Sequence, residues 1–208
     1  MTARPSSQNQ LEKLGFKRLT PPSFAELMSG STLPDPNYFA AVRTWYAYDG
    51  DCSVDGSLFT DRDLQGLNII VTGKLVVDGI LTDSCIGGIV VFGAVKASSI
   101  ILGEGPAEFR GEAIFRDALI VHSTGDYVVI REPVGPLVFC WSDPLVIEAS
   151  EGKVKVCRDV VRSESFGCAA DLLKPEYLEE DEDEGILIPD STKIRRALLN
   201  GESIFNSR

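Results

Sequence analysis

The chain is poor in the groups most often used for chemistry. Among its 208 residues there is one histidine, His122, which excludes a three-histidine zinc centre. No nucleophile stands beside it in a local motif, and Ser123-Thr124-Gly125 after it reads as a turn. The cysteines Cys52, Cys85, Cys140, Cys157 and Cys168 are odd in number and widely separated, so none has the spacing of a zinc ribbon or a redox pair. They read as small core residues in a reducing compartment. No Walker loop is present, and Gly87-Gly88 reads as a corner. Basic residues number 20 against 31 acidic ones, a net charge of −11. That balance lacks the clustered Lys and Arg that phosphate binding requires and suits a basic protein partner. There is no apolar run long enough to span a membrane, and the polar stretch Met1–Gln10 is not followed by the apolar core of a secretory signal. The expectation is a cytoplasmic protein with no cofactor, no metal, and no direct contact with membrane or nucleic acid.

What is abundant is short apolar alternation marked by glycine. Val71-Thr72-Gly73, Val91-Phe92-Gly93 and Phe109-Arg110-Gly111 superimpose, recurring about every twenty residues, at the short edge of the periods that signal stacked repeats. Ile69 and Val71, Ile89 and Val91, and Ala107 and Phe109 precede the markers; Leu75 and Val77, Val95 and Ala97, and Ala113 and Phe115 follow them. Steps of two put each set on one side of a strand. The phase then slips before Ile80, Ile100 and Ala118. A slip at the same place in every repeat reads as two short strands joined by a bend, so each repeat is a coil and not a hairpin.

A weaker early copy is marked by Gly56 in Val54-Asp55-Gly56. A late copy, Val128 to Phe139, keeps the apolar phase without the glycine and places Pro133 and Pro136 at the expected corner. One coil cannot bury its inward side, whereas about five stacked coils make a continuous apolar column. An antiparallel sandwich has similar turn spacing but no reason to hold one phase through three copies. The predicted fold is therefore mainly β: a right-handed parallel β-solenoid of about five short coils. Gly73, Gly93 and Gly111 should occupy equivalent corners, and Val71, Val91 and Phe109 one interior ladder.

Three regions follow. Residues 1–50 read as an N-terminal tail and short helices capping the solenoid, 51–165 as the solenoid, and 166–208 as an acidic segment with a closing helix. Ser23 and Glu26 form a capping-box pattern for a helix near 23–29, closed by Gly30. Phe39, Val42 and Trp45 recur at helical spacing and predict a second helix over 37–46 that covers the first coil. Val154, Val156, Val160 and Val161 suggest one more strand, and Ala169 to Leu173 a short helical piece stopped by Pro175. Pro189-Asp190-Ser191-Thr192 opens a last helix over 191–200, with Gly201 as its stop.

The segment Val71-Thr72-Gly73-Lys74-Leu75-Val76-Val77-Asp78-Gly79, with the coil from Ile89 to Leu102, resembles the short-coil solenoids of bactofilin-type polymer-forming proteins, over roughly residues 51 to 147. That resemblance implies a structural scaffold whose open ends stack. The flanks depart from the bactofilin pattern, because both look structured. The whole arrangement is similar to bacterial immunity proteins that neutralise a toxin delivered by type VI secretion or another polymorphic-toxin system. This second similarity carries no catalytic residues. It implies a cytosolic, non-enzymatic inhibitor bound tightly to a cognate toxin domain, basic in charge, with a nuclease as the implied activity.

Competing chemistry is thin. Asp61, Asp63, Asp78, Asp83 and Asp117 could contribute to an acidic groove like that of pectate-lyase-like solenoids, but carboxylates also fill solenoid corners, and paired acids alone are weak evidence of catalysis. Strict hexapeptide repeats of the left-handed acyltransferases are absent. The densest negative feature is Glu176 to Glu184, where Glu179, Glu180, Asp181, Glu182, Asp183 and Glu184 stand with no intervening cation. Fixed carboxylates speed and orient association with a basic surface, so Glu179 to Glu184 is the candidate partner-binding site. A solvated linker is the alternative reading, in which case docking falls to the solenoid's outward side, at Arg110, Glu112 and Arg116.

Overall fold

The computed structural model describes residues 11–31, 44–60, 67–83, 87–103, 105–121, 128–140, 145–148, 155–158, 171–181 and 186–206. The chain begins with a two-residue strand, β1 (Lys17–Arg18), and then winds through short strands in groups of three. The first group is β2 (Thr44–Tyr48), β3 (Cys52–Val54) and β4 (Leu58–Thr60). Next come β5 (Leu67–Val71), β6 (Leu75–Val77) and β7 (Ile80–Asp83), followed by β8 (Ile89–Val91), β9 (Val95–Ala97) and β10 (Ser99–Leu102). Then follow β11 (Ala107–Phe109), β12 (Ala113–Phe115) and β13 (Ala118–Val121), and then β14 (Val128–Arg131), β15 (Pro133–Val134) and β16 (Leu137–Cys140). Two strands, β17 (Leu145–Glu148) and β18 (Lys155–Arg158), extend the stack.

Equivalent strands pair in parallel from coil to coil, giving three sheets around one interior. Sheet A is β2-β5-β8-β11-β14-β17, with β1 added at its edge; sheet B is β3-β6-β9-β12-β15; sheet C is β4-β7-β10-β13-β16-β18. This is a parallel β-solenoid. Four turns of the chain separate the first and last strands of sheet B, slightly fewer than the expected five coils by that measure. Val71, Val91 and Phe109 are in register with one another and then with Ile130, and all four are fully buried. The predicted interior ladder is present.

Each coil has three strands, where the phase slip predicts two. Leu75 lies four residues beyond Val71 and points to the same interior, so counting by twos runs straight through the corner at Thr72-Gly73-Lys74 without registering it. Close stacking builds that corner. The Gly73 amide donates to the Gly50 carbonyl at 3.0 Å and the Gly93 amide to the Gly73 carbonyl at 2.9 Å. A Cβ on Gly93 would stand 2.7 Å from the Gly73 carbonyl carbon, and one on Gly111 2.6 Å from that of Gly93. No side chain fits there without displacing backbone.

The first copy carries a different marker glycine from the one its sequence suggests. Gly50, two residues beyond Tyr48, is the partner of Gly73, because Tyr48 pairs with Val71; Gly56 stacks instead under Gly79, whose amide donates to its carbonyl at 2.7 Å. The first coil therefore begins at Thr44 and not in the fifties. The helix expected over 37–46 is corrected in the same way: Thr44 to Tyr46 are strand, and residues 37–43 lie outside the described ones. Trp45 and Tyr46 are both buried, on opposite sides of β2, Tyr46 in the interior and Trp45 on the outer face against Phe24. In the late copy, Pro133 belongs to β15, leaving Pro136 at the bend. Glu132 takes the glycine's place at the preceding corner, between β14 and β15, with φ of 48°.

Covering layers account for the rest. The first helix is Pro21–Leu27, capped by the Thr20 hydroxyl, which accepts from the Ser23 amide at 3.4 Å; the capping box at Ser23 is not used, because Pro21 and Pro22 fit the first helical turn, where their missing amides cost nothing. Phe24 and Met28 bury Ile70 and Val90 on the outer face of sheet A. Upstream, β1 pairs antiparallel with β2, and Leu11 and Phe16 join the interior cluster, so at the N-terminal end the edge of sheet A is paired and the interior covered. The outer face of sheet C is covered by the C-terminal segment. On sheet B the outward row Ser53, Val76, Lys96, Ile114 and Val134 is half-buried or exposed, with no layer over it among the described residues.

Candidate protein-binding surface

The acidic run is not an extended linker where it is described. After a 3-10 turn, Pro175–Tyr177, the chain forms β19 (Leu178–Asp181), which pairs antiparallel with β20 (Ile186–Pro189). Glu179 lies opposite Ile188 and Glu180 opposite Leu187. Both glutamates are exposed. Glu182, Asp183 and Glu184, along with Gly185, lie outside the described residues. The helical piece expected at 169–173 is a turn over 171–172 leading to a bridge between Leu173 and Phe205, and residues 169–170 are not described.

The hairpin is anchored at its base. Leu178 and Ile188 lean on a cluster formed by Ile101, Ile120 and Phe139 of sheet C with Leu173, Tyr177, Ile194 and Ile204 of the C-terminal segment. The Asp190 amide donates to the Tyr177 carbonyl at 2.9 Å, closing the hairpin below its last pair. Asp190 then caps the final helix, Ser191–Leu199, through its carboxylate, which accepts from the Lys193 amide at 2.9 Å. Lys193 Nζ returns to the same carboxylate at 2.9 Å. Partial burial pushes the Asp190 carboxyl up, but the hydrogen bonds and charge of Lys193 outweigh it, so the group titrates below the ordinary carboxylate value. Glu179 adds a further pull on Lys193, whose ammonium is held above its usual value chiefly by Asp190. The chain returns to the same place: Lys174 Nζ donates to the Ser203 carbonyl at 2.6 Å and Asn206 to the Leu173 carbonyl at 2.8 Å. Glu179 and Glu180 thus sit on a braced strand, and this bracing was not evident from their charge.

Of the alternative docking positions, Glu112 and Arg116 are exposed, and Arg116 forms an ion pair with Asp117 at 2.9 Å. Arg110 is not free surface. Its Nε donates to Glu108 Oε1 at 3.0 Å, and its guanidinium stacks 3.9 Å above the Phe92 ring. Glu108, 1% exposed, also accepts from Ser31 Oγ at 2.6 Å. This buried cluster ties the segment after the first helix to sheet A, and the sequence offers only an outward Glu two residues before an Arg as a hint of it.

Catalytic groups do not converge among the described residues. No group of three His, Cys, Asp or Glu side chains there is placed to hold a metal ion. Of the five aspartates weighed for an acidic groove, Asp61 and Asp63 lie outside the described residues, Asp83 ends β7, Asp78 is exposed at a corner, and Asp117 is paired with Arg116. His122, Cys85 and Cys168 are also outside. Cys52 and Cys140 are buried, and burial pushes the Cys52 thiol up, away from reactive thiolate. No helix among the described residues is long and apolar enough to cross a membrane. Comparison with known proteins gives no match: no family model, no curated protein and no solved structure.

Proposed function

We propose that this chain is a binding protein and not an enzyme: a cytoplasmic immunity protein that neutralises a cognate basic toxin domain, a nuclease by implication, through tight protein–protein contact. The observation that carries the reading is the acidic strand Leu178–Asp181, exposed at Glu179 and Glu180 yet anchored on the solenoid through Leu178, Tyr177 and Asp190. Carboxylates held on a rigid element meet a basic surface at less cost in ordering than carboxylates on a loose tail. A nuclease must present cations to hold phosphates, and those same cations are the natural counterpart of this strand.

The partly covered N-terminal end, with β1 across β2 and Leu11 and Phe16 over the interior, weighs against a scaffold that polymerises through both ends. Co-expression with the product of the neighbouring gene tests the proposal. Growth protection and a stable complex are expected, and Glu179→Gln with Glu180→Gln should slow association and flatten its salt dependence while leaving the fold intact. A protein that sediments as a polymer at micromolar concentration, or gives neither protection nor complex, would overturn it.

A further inference from the structure

Away from the acidic hairpin, the final helix and sheet C enclose a groove of about 350 Å³. Its apolar lining comes from Ile101 and Ile120, neighbours in register on the outer face of β10 and β13, and from Leu199 at the helix end. Leu199 is 40% exposed, one of two large hydrophobic residues so exposed among the described residues. The polar side is formed by Arg195, Arg196 and Asn200. Among the described residues no acidic side chain lines the groove, although the chain as a whole carries a charge of −11. Among the described residues neither arginine takes part in an ion pair.

This combination selects a ligand chemistry. An apolar floor with two guanidinium groups at one side is complementary to a molecule with an alkyl body and one anionic end, since Arg binds carboxylates through paired, charge-assisted hydrogen bonds. The volume lies at the small end of ligand sites, which run from about 300 to 1,000 Å³, so the ligand is compact. We propose that the groove binds a small amphiphilic carboxylate, with its alkyl part on Ile101, Ile120 and Leu199 and its carboxylate on Arg195 and Arg196. None of the lining residues belongs to the acidic hairpin, and the proposal does not depend on the toxin-inhibitor reading.

Methyl-labelled NMR of the full chain, titrated separately with octanoate, octan-1-ol and acetate, tests this. Octanoate should shift the methyl signals of Ile101, Ile120 and Leu199 saturably, octan-1-ol should bind about tenfold more weakly or worse, and acetate should leave them unmoved. The double substitution Arg195→Gln, Arg196→Gln should weaken octanoate at least about tenfold and leave octan-1-ol unchanged. Interior signals from Ile69 and Ile89 report whether the variant is folded; if they collapse, Arg196→Gln alone, at an exposed position, decides by the same criterion. Shifts confined to other methyls, equal affinity for octanoate and octan-1-ol, or octanoate affinity retained without the arginines would each overturn the proposal.

Discussion

The corner after sheet A is built in two ways along the stack, one in its middle coils and one at its ends. At Gly73, Gly93 and Gly111 glycine is required by closeness, since each would drive a Cβ into the backbone of the coil below. At Gly50 nothing lies within 4 Å of such a Cβ, and what requires glycine is a φ of +92°. At Glu132, the equivalent place in the coil of β14 to β16, a side chain is tolerated at a φ of 48°. A middle coil has neighbours on both sides and must stack flush. The end corners each lack a neighbour among the described residues, Gly50 having no coil before it and β15, next to Glu132, no strand after it, and both lie in the left-handed region.

The sharpest break with the end coils comes in the interior between middle ones. Val91 is fully buried, between Val71 and Phe109 in register. Val91→Asp places a charge in a dry column without a partner, and the loss should be about 4 kcal/mol or more, seen as loss of the cooperative unfolding transition in urea. A folded Val91→Asp variant would mean that the column admits water.

Glycine substitutions test the comparison itself. Gly93→Ala and Gly93→Asn should both cost about 1–3 kcal/mol or more, as overpacking against backbone. Gly50→Ala should cost about 1–2 kcal/mol for the left-handed conformation alone, and Gly50→Asn clearly less, because asparagine accepts that region. The ordering of the Ala and Asn variants at the two sites, read from urea midpoints, is the result that matters. If Asn rescues both sites or neither, the two corners do not differ in the way described.

A change outside the stack gives a scale for these effects. Asp190→Ala removes the cap of the final helix and should cost about 1 kcal/mol. Its pH dependence has a definite sign. The folded carboxyl titrates below the ordinary value of 3.8, so its contribution is fully present above that value and is lost as pH falls through the lower, folded one. Wild type and Asp190→Ala should therefore converge in stability in strong acid; a difference that persists there would remove the charge from the explanation.

The interior was legible in the sequence because burial on one side of a strand forces a period of two, and Val71, Val91 and Phe109 obey it. The third strand of each coil was hidden, since Thr72-Gly73-Lys74 turns the chain while keeping that parity. Trp45 misled for a related reason. Both sides of β2 are covered, one by the interior and one by Phe24, so its aromatics do not alternate with polar residues and their spacing to Phe39 imitated a helix. In the acidic run, charge masked the strand signal. The readable clue was its partner, Ile186 to Ile188, set across a short segment containing Gly185. The groove beside Arg195 and Arg196 had no local signature, because its two walls lie far apart in sequence and meet only through packing on sheet C.

The smallest expected effect is at Glu132. Its side chain is exposed and its carbonyl accepts from the Ala113 amide at 3.2 Å, so the backbone is held in the left-handed region by the stack beside it. Holding a non-glycine residue there costs about 1–2 kcal/mol. Glycine would remove that cost and add about 0.5–1 kcal/mol of unfolded-chain entropy. The difference leaves Glu132→Gly more stable by about 1 kcal/mol or less, a small upward shift in the urea midpoint with the slope unchanged. Glu132→Ala keeps the strain, gains nothing from glycine's freedom, and should not rise with it. If the alanine variant is stabilised as much as the glycine one, removal of an exposed carboxylate from an acidic surface explains the gain, and the left-handed corner at this end of the stack is not strained.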